Sequence, residues 1–344
     1  MADFIPSRTT RPVLSGAGSP PSIPDHELLR CIGRGSYGEV WLARHGAGEF
    51  RAVKVVYRKT FEHDRPFERE LSGIQKFEPV SRSHPSQVSI LQVGRNQEAG
   101  YFYYVMELAD DGGYGVPGPP SEVQGSARQA PGDVSDAALS SERPGAVLPP
   151  GSGAPDPAGY TPRTLKSELA RRGRLSFGEC LEISLALATA LDHLHQHGLI
   201  HRDIKPSNVI FVRGVPKLAD IGLVTDVGAT ISCVGTEGFL APEGPGTPQA
   251  DVYSLGKVLY EISTGHDRMD FPELPTFADE TAEKDHLLEL NLIFLRACQN
   301  DVRKRYQSAR ELFSDLMLLR AGKSLRRARA LEQRLAKART AAIA

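Results

Sequence analysis

Cysteine is scarce: Cys31, Cys180, Cys233 and Cys298 lie far apart in 344 residues and form no C-x-x-C pair. The opening stretch MADFIPSRTTRPVLSG has no apolar core of the kind a secretory signal needs. Together these absences lead us to expect a reducing, cytoplasmic setting. Long hydrophobic runs are missing too. The most apolar segment, LEISLALATALDHLHQHG, is broken by Glu182, Asp192 and His193. It falls short of the roughly 18 apolar residues a membrane span needs, so no transmembrane segment is expected. Nor does one charge dominate. A formal net charge of −1 gives no global pull toward nucleic acid or an acidic membrane, so an electrostatic partner has to be local and no nucleic-acid partner is expected.

What is there is ordinary globular material, 40% hydrophobic and 24% charged, long enough for two packed units or one bilobal enzyme. Residues 1–24 are rich in Ser, Pro and Gly and read as a flexible extension, with order beginning near Asp25. LLRCIG, EVWLAR, RAVKVV, QVSILQVG and YFYYVMEL read as short strands, with DRPFERELSGIQKF as an amphipathic helix between the third and fourth. From Asp110 to Pro162 the chain turns to Gly, Pro, Ser and Ala with almost no bulky apolar groups. Such a stretch cannot offset its ordering entropy, and a disordered or loosely ordered insertion is expected over 110–162. Helical periodicity returns in TLKSELARRG, SFGECLEISLALATALDHLHQHG, ADVYSLGKVLYEISTG and ARELFSDLMLLRAG.

The expected fold class is therefore α+β, with a small β-rich lobe near 25–109 and a mainly helical lobe near 163–320. Residues 321–344 are Ala- and Arg-rich, with Leu325, Leu331 and Leu335 at near-helical spacing. They predict a basic amphipathic helix, either packed loosely on the body or open to a partner or membrane surface.

Gly33-Arg34-Gly35-Ser36-Tyr37-Gly38 fits G-x-G-x-x-G, with Ile32 before it and Val40 after it. Glycines let backbone N–H groups approach phosphate oxygens, but dinucleotide sites and plain hairpins share this spacing. A dinucleotide loop leads into a helix, whereas EVWLA continues as a strand, so this loop caps a hairpin. In the next strand Ala52 and Lys54 share a face: the small residue leaves room for a flat base while the lysine reaches phosphate. A buried Lys54 needs a counter-ion, for which Glu70 is the first candidate and Glu68 the second. The alternative is an edge-strand lysine reaching out to water.

His201-Arg202-Asp203-Ile204-Lys205-Pro206-Ser207-Asn208 matches H-R-D-x-x-x-x-N at every fixed position, and Asp220 follows in LADIG. With these residues the chain resembles the eukaryotic-type (Hanks-type) serine/threonine protein kinases, as a bacterial-like member with a bilobal kinase fold, over residues 25–320 apart from the insertion. Further matches are Gly235-Thr236, Ala241-Pro242-Glu243, Asp251 in DVYSLG, and Arg305 as a partner for Glu243.

The resemblance implies an ATP-dependent kinase using Mg²⁺, with Mn²⁺ as an alternative, acting on protein substrates and on itself. It implies that Asp203 takes the substrate hydroxyl proton, Lys205 neutralises the γ-phosphoryl group, and Lys54 paired to Glu70 holds the α- and β-phosphates. Asn208 and Asp220 would supply oxygen ligands to the metal. Ile32, Val40 and Ala52 above, Ile210 below, Met106 as gatekeeper and the backbone of Glu107 and Ala109 would enclose adenine, with Gly33, Gly35 and Gly38 over the phosphates. Lys205, two residues after Asp203, implies Ser or Thr as acceptor.

Arg202 offers a cation to a phosphorylated activation loop, where Thr225, Thr230 and Ser232 are candidates. Thr236 is expected instead to bond Asp203 and Lys205. Three departures stand out: Ile221 where the family has an aromatic, Val302 where Pro is common, and the insertion itself. The insertion reads as a passive linker or as a docking or autophosphorylated segment. Asp110 or Asp111 is the candidate for the ribose. A pseudokinase would lack Lys54, Asp203, Asn208 or Asp220, and a small-molecule kinase would lack the A-P-E run.

Overall fold

The computed structural model describes residues 20–35, 38–113, 156–220, 225–226, 236–275, 282–330 and 334. The first lobe is a five-stranded antiparallel sheet of β1 (His26–Arg34), β2 (Gly38–His45), β3 (Phe50–Tyr57), β4 (Ile90–Asn96) and β5 (Tyr101–Met106), in the order β1-β2-β3-β5-β4. Every strand expected from the sequence is present. Helix α1 (Asp64–Ser81) lies against one sheet face, burying Phe67, Leu71, Ile74 and Phe77 among Val56, Phe102, Tyr104 and Met106. The opposite face packs Val53, Val55, Tyr103 and Val105. This two-sided burial explains why β3 and β5 read as continuous apolar runs.

Two boundaries differ from the sequence reading. Helix α1 continues past Pro79 to Ser81, whose hydroxyl donates to the Glu78 carbonyl at 2.6 Å and accepts from the Ile90 N–H at 3.0 Å. The helix end is thus tied into β4 by partners no local pattern reveals. The fourth strand begins at Ile90 because Gln87 and Val88 face the second lobe: Gln87 donates to the Ala190 carbonyl at 3.0 Å and the Val88 N–H to that of Leu218 at 3.0 Å.

The second lobe is built from α2 (Leu165–Arg172), α3 (Phe177–Gln196), α4 (Pro248–Thr264), α5 (Ala282–Ala297) and α6 (Ala309–Arg320), with short strands β6 (Leu199–Ile200), β7 (Val209–Val212), β8 (Val215–Leu218) and β9 (Thr225–Asp226). Helix starts follow side-chain capping. Thr164 with Ser167 and Ser176 with Glu179 form capping boxes on α2 and α3, and Thr247 and Ser308 cap α4 and α6. Gly265, at φ 76°, closes α4 in the left-handed conformation that glycine adopts without a Cβ clash. Helix α5 has no counterpart in the sequence reading. Its apolar residues are spread around the helix, and packing against α4 and α6 makes Leu290, Ile293 and Phe294 core.

Most of the insertion, residues 114–155, lies outside the described residues, as do 1–19 of the N-terminal extension. The ends of the insertion are ordered and paired: the Gly112 N–H donates to the Thr161 carbonyl and the Arg163 N–H to that of Asp110. The start of the C-terminal segment is helical and held to the lobe. Leu325 is buried, its N–H and the Ser324 hydroxyl donate to the Glu289 carboxylate, and Arg329 pairs with Asp315 at 3.0 Å. Leu331 and Leu335 lie outside the described residues. Among the described residues, no helix is long and apolar enough to cross a membrane.

Helices α4 and α5 meet at Gly256, where an added Cβ would stand 2.7 Å from the Ala297 Cβ and 2.8 Å from the Cys298 Sγ. Neither neighbour has a flexible end to swing away. Gly256→Ala should therefore destabilise the chain by about 1–3 kcal/mol through overpacking, net of any gain in helix propensity. A urea midpoint at or above that of wild type would contradict this close approach.

Candidate active site

The site begins with one buried carboxylate. Asp251, in the first turn of α4, accepts from the backbone N–H groups of His201 at 2.8 Å and Arg202 at 2.9 Å, and its Oδ2 lies 2.9 Å from His195 Nε2 on α3. Arg202 is thereby held at φ 70°, a left-handed conformation uncommon outside glycine. The chain then turns so that Asp203 and Lys205 reach the same place. Lys205 Nζ donates to Asp203 Oδ2 at 2.6 Å and to Thr236 Oγ1 at 2.9 Å, and the Thr236 hydroxyl donates to Asp203 Oδ1 at 3.2 Å. Asn208 donates through Nδ2 to the Asp203 carbonyl at 2.8 Å and to its carboxylate at 2.9 Å. The hydrogen bonds that the sequence led us to expect for Thr236 are present.

Asp220 follows β8 at φ 58°, placed beside Asn208 because the Ala219 N–H donates to the Asn208 carbonyl at 2.8 Å. Its carboxylate accepts from Lys54 Nζ and forms the ion pair of that lysine. This differs from the expected Lys54–Glu70 pairing. Glu70 is buried on α1 and acts on Lys54 through its charge, whereas Glu68 points away to Arg95 at 2.7 Å. Burial opposes the charge of Lys54, but Asp220, Tyr104 and Glu70 outweigh it and raise its pKa well above the ordinary lysine value. Burial also opposes ionisation of Asp220, yet the Lys54 ammonium holds its carboxyl below the usual aspartate range.

In the glycine loop the Gly35 N–H donates to the Gly38 carbonyl at 2.9 Å. A Cβ at Gly38 would stand 2.1 Å from the Val55 carbonyl oxygen, so the approach of β3 alone requires glycine there. A Cβ added at Gly33 or Gly35 would meet no atom nearer than 3.6 Å among the described residues. The tip residues Ser36 and Tyr37 lie outside the described residues. Below the loop, Ala52 and Met106 share one apolar cluster, with Val40 and Ile210 packed against it. Cross-strand pairing sets Ala52 beside Met106. Ile32 lies one residue before the loop on β1, outside that cluster.

Residues 107–113 join the two lobes. Glu107 is clamped by its side chain, which accepts from the Ser89 N–H at 2.8 Å and from Lys217 Nζ at 2.6 Å. Among hydrogen bonds between described residues, none uses the Glu107 carbonyl or the Ala109 N–H. Asp110 and Asp111, the two ribose candidates, are both engaged. Asp110 caps the β7–β8 turn through the N–H groups of Arg213 and Gly214, and Asp111 Oδ1 accepts from Gly113 and Thr161. Glu243 forms a two-pronged pair with buried Arg305 at 2.6 and 3.2 Å, as its sequence neighbours implied. Thr225 lies in β9; Thr230, Ser232 and Ile221 fall outside the described residues. His195 and Tyr160 were not singled out from the sequence. The first lacks any motif; the second is an aromatic ring at the end of the Gly/Pro-rich stretch, just before helical periodicity resumes.

The oxygens of Asn208 and Asp220, adjacent and hard, suit a divalent cation completed by phosphate and water. Among the described residues no cluster of three His, Cys, Asp or Glu could hold a metal by itself. Glu70 carries a pH signature. Burial first, and then the Asp220 charge, push its carboxyl up from 4.5 to about 7 against the pull of Lys54. A raised folded-state value means that the stability Glu70 contributes is fully present below about pH 4.5 and lost as pH rises through about 7. Glu70→Gln removes that titration. Its melting temperature relative to wild type should therefore climb between pH 5 and pH 8, and parallel curves in scanning fluorimetry would argue against a neutralised Glu70.

The protein kinase domain family matches residues 159–323. A probable serine/threonine-protein kinase of Clostridium perfringens is 27% identical over 322 residues, covering 85% of this chain and 38% of that protein. Serine/threonine-protein kinase PrkC of Bacillus subtilis is 27% identical over 315 residues, 85% of this chain and 40% of the relative. Serine/threonine-protein kinase PknB of Mycolicibacterium smegmatis is 32% identical over 189 residues, 47% and 29% respectively. The chain thus spans about two fifths or less of the length of these relatives. Residues 159–323 carry the match to the protein kinase domain family, and with a β-sheet lobe, a helical lobe and the catalytic-loop geometry described above, the chain is similar to the bacterial eukaryotic-type (Hanks-type) protein kinases.

Proposed function

We propose that this chain is an ATP-dependent serine/threonine protein kinase. The observation that carries the reading is the convergence of Asp203, Lys205, Asn208 and Thr236 in one hydrogen-bond network, with the Lys54–Asp220 pair beside it. The substrate hydroxyl oxygen forms a bond to the γ-phosphorus as the bond to the ADP oxygen breaks, and the hydroxyl proton passes to the Asp203 carboxylate. Lys205 lies where it offsets charge on the transferred group, and Lys54 is within reach of the α- and β-phosphates once released from Asp220. Asn208 and Asp220 would hold Mg²⁺, or Mn²⁺ in its place, which when bound neutralises phosphate oxygens. Ile32, Val40, Ala52, Met106 and Ile210 would line the adenine site, with the Glu107 carbonyl and Ala109 N–H facing the base and Gly33, Gly35 and Gly38 over the phosphates.

Lys205 two residues after Asp203, together with the names of the relatives, favours Ser and Thr as acceptors. Arg202 is proposed to receive a phosphate placed by autophosphorylation on Thr225, Thr230 or Ser232. Thr236 is committed to Asp203 and Lys205 and serves the loop geometry. The catalytic domain is assigned to 25–320 with cytoplasmic protein substrates, and 321–344 to a basic helix packed at its start on the second lobe.

Purified chain incubated with Mg-ATP and a protein acceptor should transfer phosphate to Ser and Thr. Asp203→Asn should lower the rate by about 10² or more, since a positioned base is lost. Lys54→Ala and Asp220→Ala should also abolish most turnover. Unchanged rates in these variants would overturn the mechanism. Peptide mapping after the same incubation should place phosphate between residues 225 and 232, and its absence there would remove the autophosphorylation proposal.

A further inference from the structure

The insertion returns to the body through residues 156–163, and this return arm does more than close a loop. Tyr160 is about 1% exposed, and its hydroxyl donates to the Ala109 carbonyl at 3.0 Å. Its own carbonyl accepts from the Arg30 guanidinium on β1, two residues before Ile32. The arm approaches the 107–113 connection so closely that Cβ atoms at Gly112 and Gly113 would stand 3.1 Å from the Arg163 Cα and 3.2 Å from the Gly159 carbonyl oxygen. Beneath it, the Phe211 N–H donates to the Arg163 carbonyl at 3.0 Å, and the Arg163 guanidinium lies 4.7 Å over the Phe211 ring. Phe211 follows Ile210 on β7.

The consequence falls on one peptide plane. The Ala109–Asp110 peptide is fixed at both ends, its carbonyl by the Tyr160 hydroxyl and its N–H by the Phe211 carbonyl at 2.7 Å. That plane limits the backbone rotation of Ala109, and hence the direction of the Ala109 N–H. Ala109 is itself buried, so its carbonyl would be left unsatisfied without the phenol. Burial, with the nearby Asp111 and Asp110 charges, drives the phenol pKa well upward, so the hydroxyl remains a donor across the physiological range.

Resting on the nucleotide-binding reading above, we propose that Tyr160 is a positioning residue for the adenine base. It orients the Ala109 N–H, and Arg30 seats it by tying the return arm to the strand that carries the glycine loop. The insertion is thereby a structural part of the nucleotide site at its return end. The chemical step lies elsewhere, at Asp203, so Tyr160 acts on nucleotide affinity and leaves the transfer itself alone.

The test uses the full chain, with steady-state kinetics in ATP and calorimetric titration of Mg-ADP. Tyr160→Phe keeps the ring and removes the donor. It should raise KM for ATP and the Kd for Mg-ADP by about fivefold, the scale of one buried hydrogen bond, with kcat within twofold of wild type. Arg30→Met, which leaves the phenol in place, should move the same two quantities in the same direction by less, and serves if the first variant folds poorly. Wild type that binds Mg-ADP beside a Tyr160→Phe variant with unchanged KM and Kd would overturn the proposal alone, leaving Tyr160 a packing clip. A fall in kcat at constant KM would overturn it as well. Wild type that fails to bind Mg-ADP would overturn the kinase reading and this proposal with it.

Discussion

The Asp251 carboxylate is the constraint on which the rest of the site depends. It sits on α4, yet it satisfies two backbone N–H groups of the loop after β6 and contacts a histidine of α3. A buried acceptor with three such partners is costly to disturb, because each loss leaves a polar group without water. That cost holds Arg202 in a left-handed backbone, and the turn sends Asp203, Lys205 and Asn208 into one network. The helical lobe thus acts as a rigid mount: α3 and α4 pack through Leu187, Leu191, Val252 and Leu255, and the carboxylate transmits their fixed relation to the loop.

A second set of constraints joins the lobes. Gln87 and Val88, just before β4, hydrogen-bond to α3 and β8, while Glu107 after β5 pairs with Lys217 on β8. Lys54 crosses the gap to Asp220, and Glu70 crowds the same pair from α1. Three ionisable groups share this partly dry space. Their protonation states are set by one another and by burial, so the lysine is held charged, Asp220 ionised, and the Glu70 carboxyl pushed up to about 7. In this arrangement the lysine is engaged by the same carboxylate that is proposed to hold metal, so nucleotide and metal would have to share or redistribute those contacts.

The strands and most helices were legible because their signals are local. Alternation and apolar runs mark β1 to β5, and Thr164, Ser176 and Ser308 mark helix starts by offering a hydroxyl to a free N–H. The exceptions share one cause. Pro79 argues for a helix end that Ser81 overrides through a contact to Ile90, and Gln87 reads as strand although its amide bonds to α3. Helix α5 is helical because neighbours bury it, with weak periodicity of its own. Within the site, Asp203, Asn208, Asp220, Lys54, Asp251 and Arg305 could be singled out through the resemblance to the kinase family's motifs. The partner of Lys54 could not: the sequence put Glu70 first and Glu68 second, whereas the lysine reaches across to Asp220, a residue of the other lobe.

The sequence by itself determined which chemical groups are available and in what order: a glycine loop running into a strand, a lysine behind a small residue, and H-R-D-x-x-x-x-N followed by an aspartate. Those follow from side-chain chemistry and short-range geometry, which a linear pattern records. Tertiary structure alone decided which charges meet, that Asp110 and Asp111 serve the backbone, and that a tyrosine 51 residues beyond Ala109 reaches its carbonyl. Such contacts depend on how buried polar groups are satisfied across distant segments. That condition is imposed by the packed whole and is written in no local stretch of the chain.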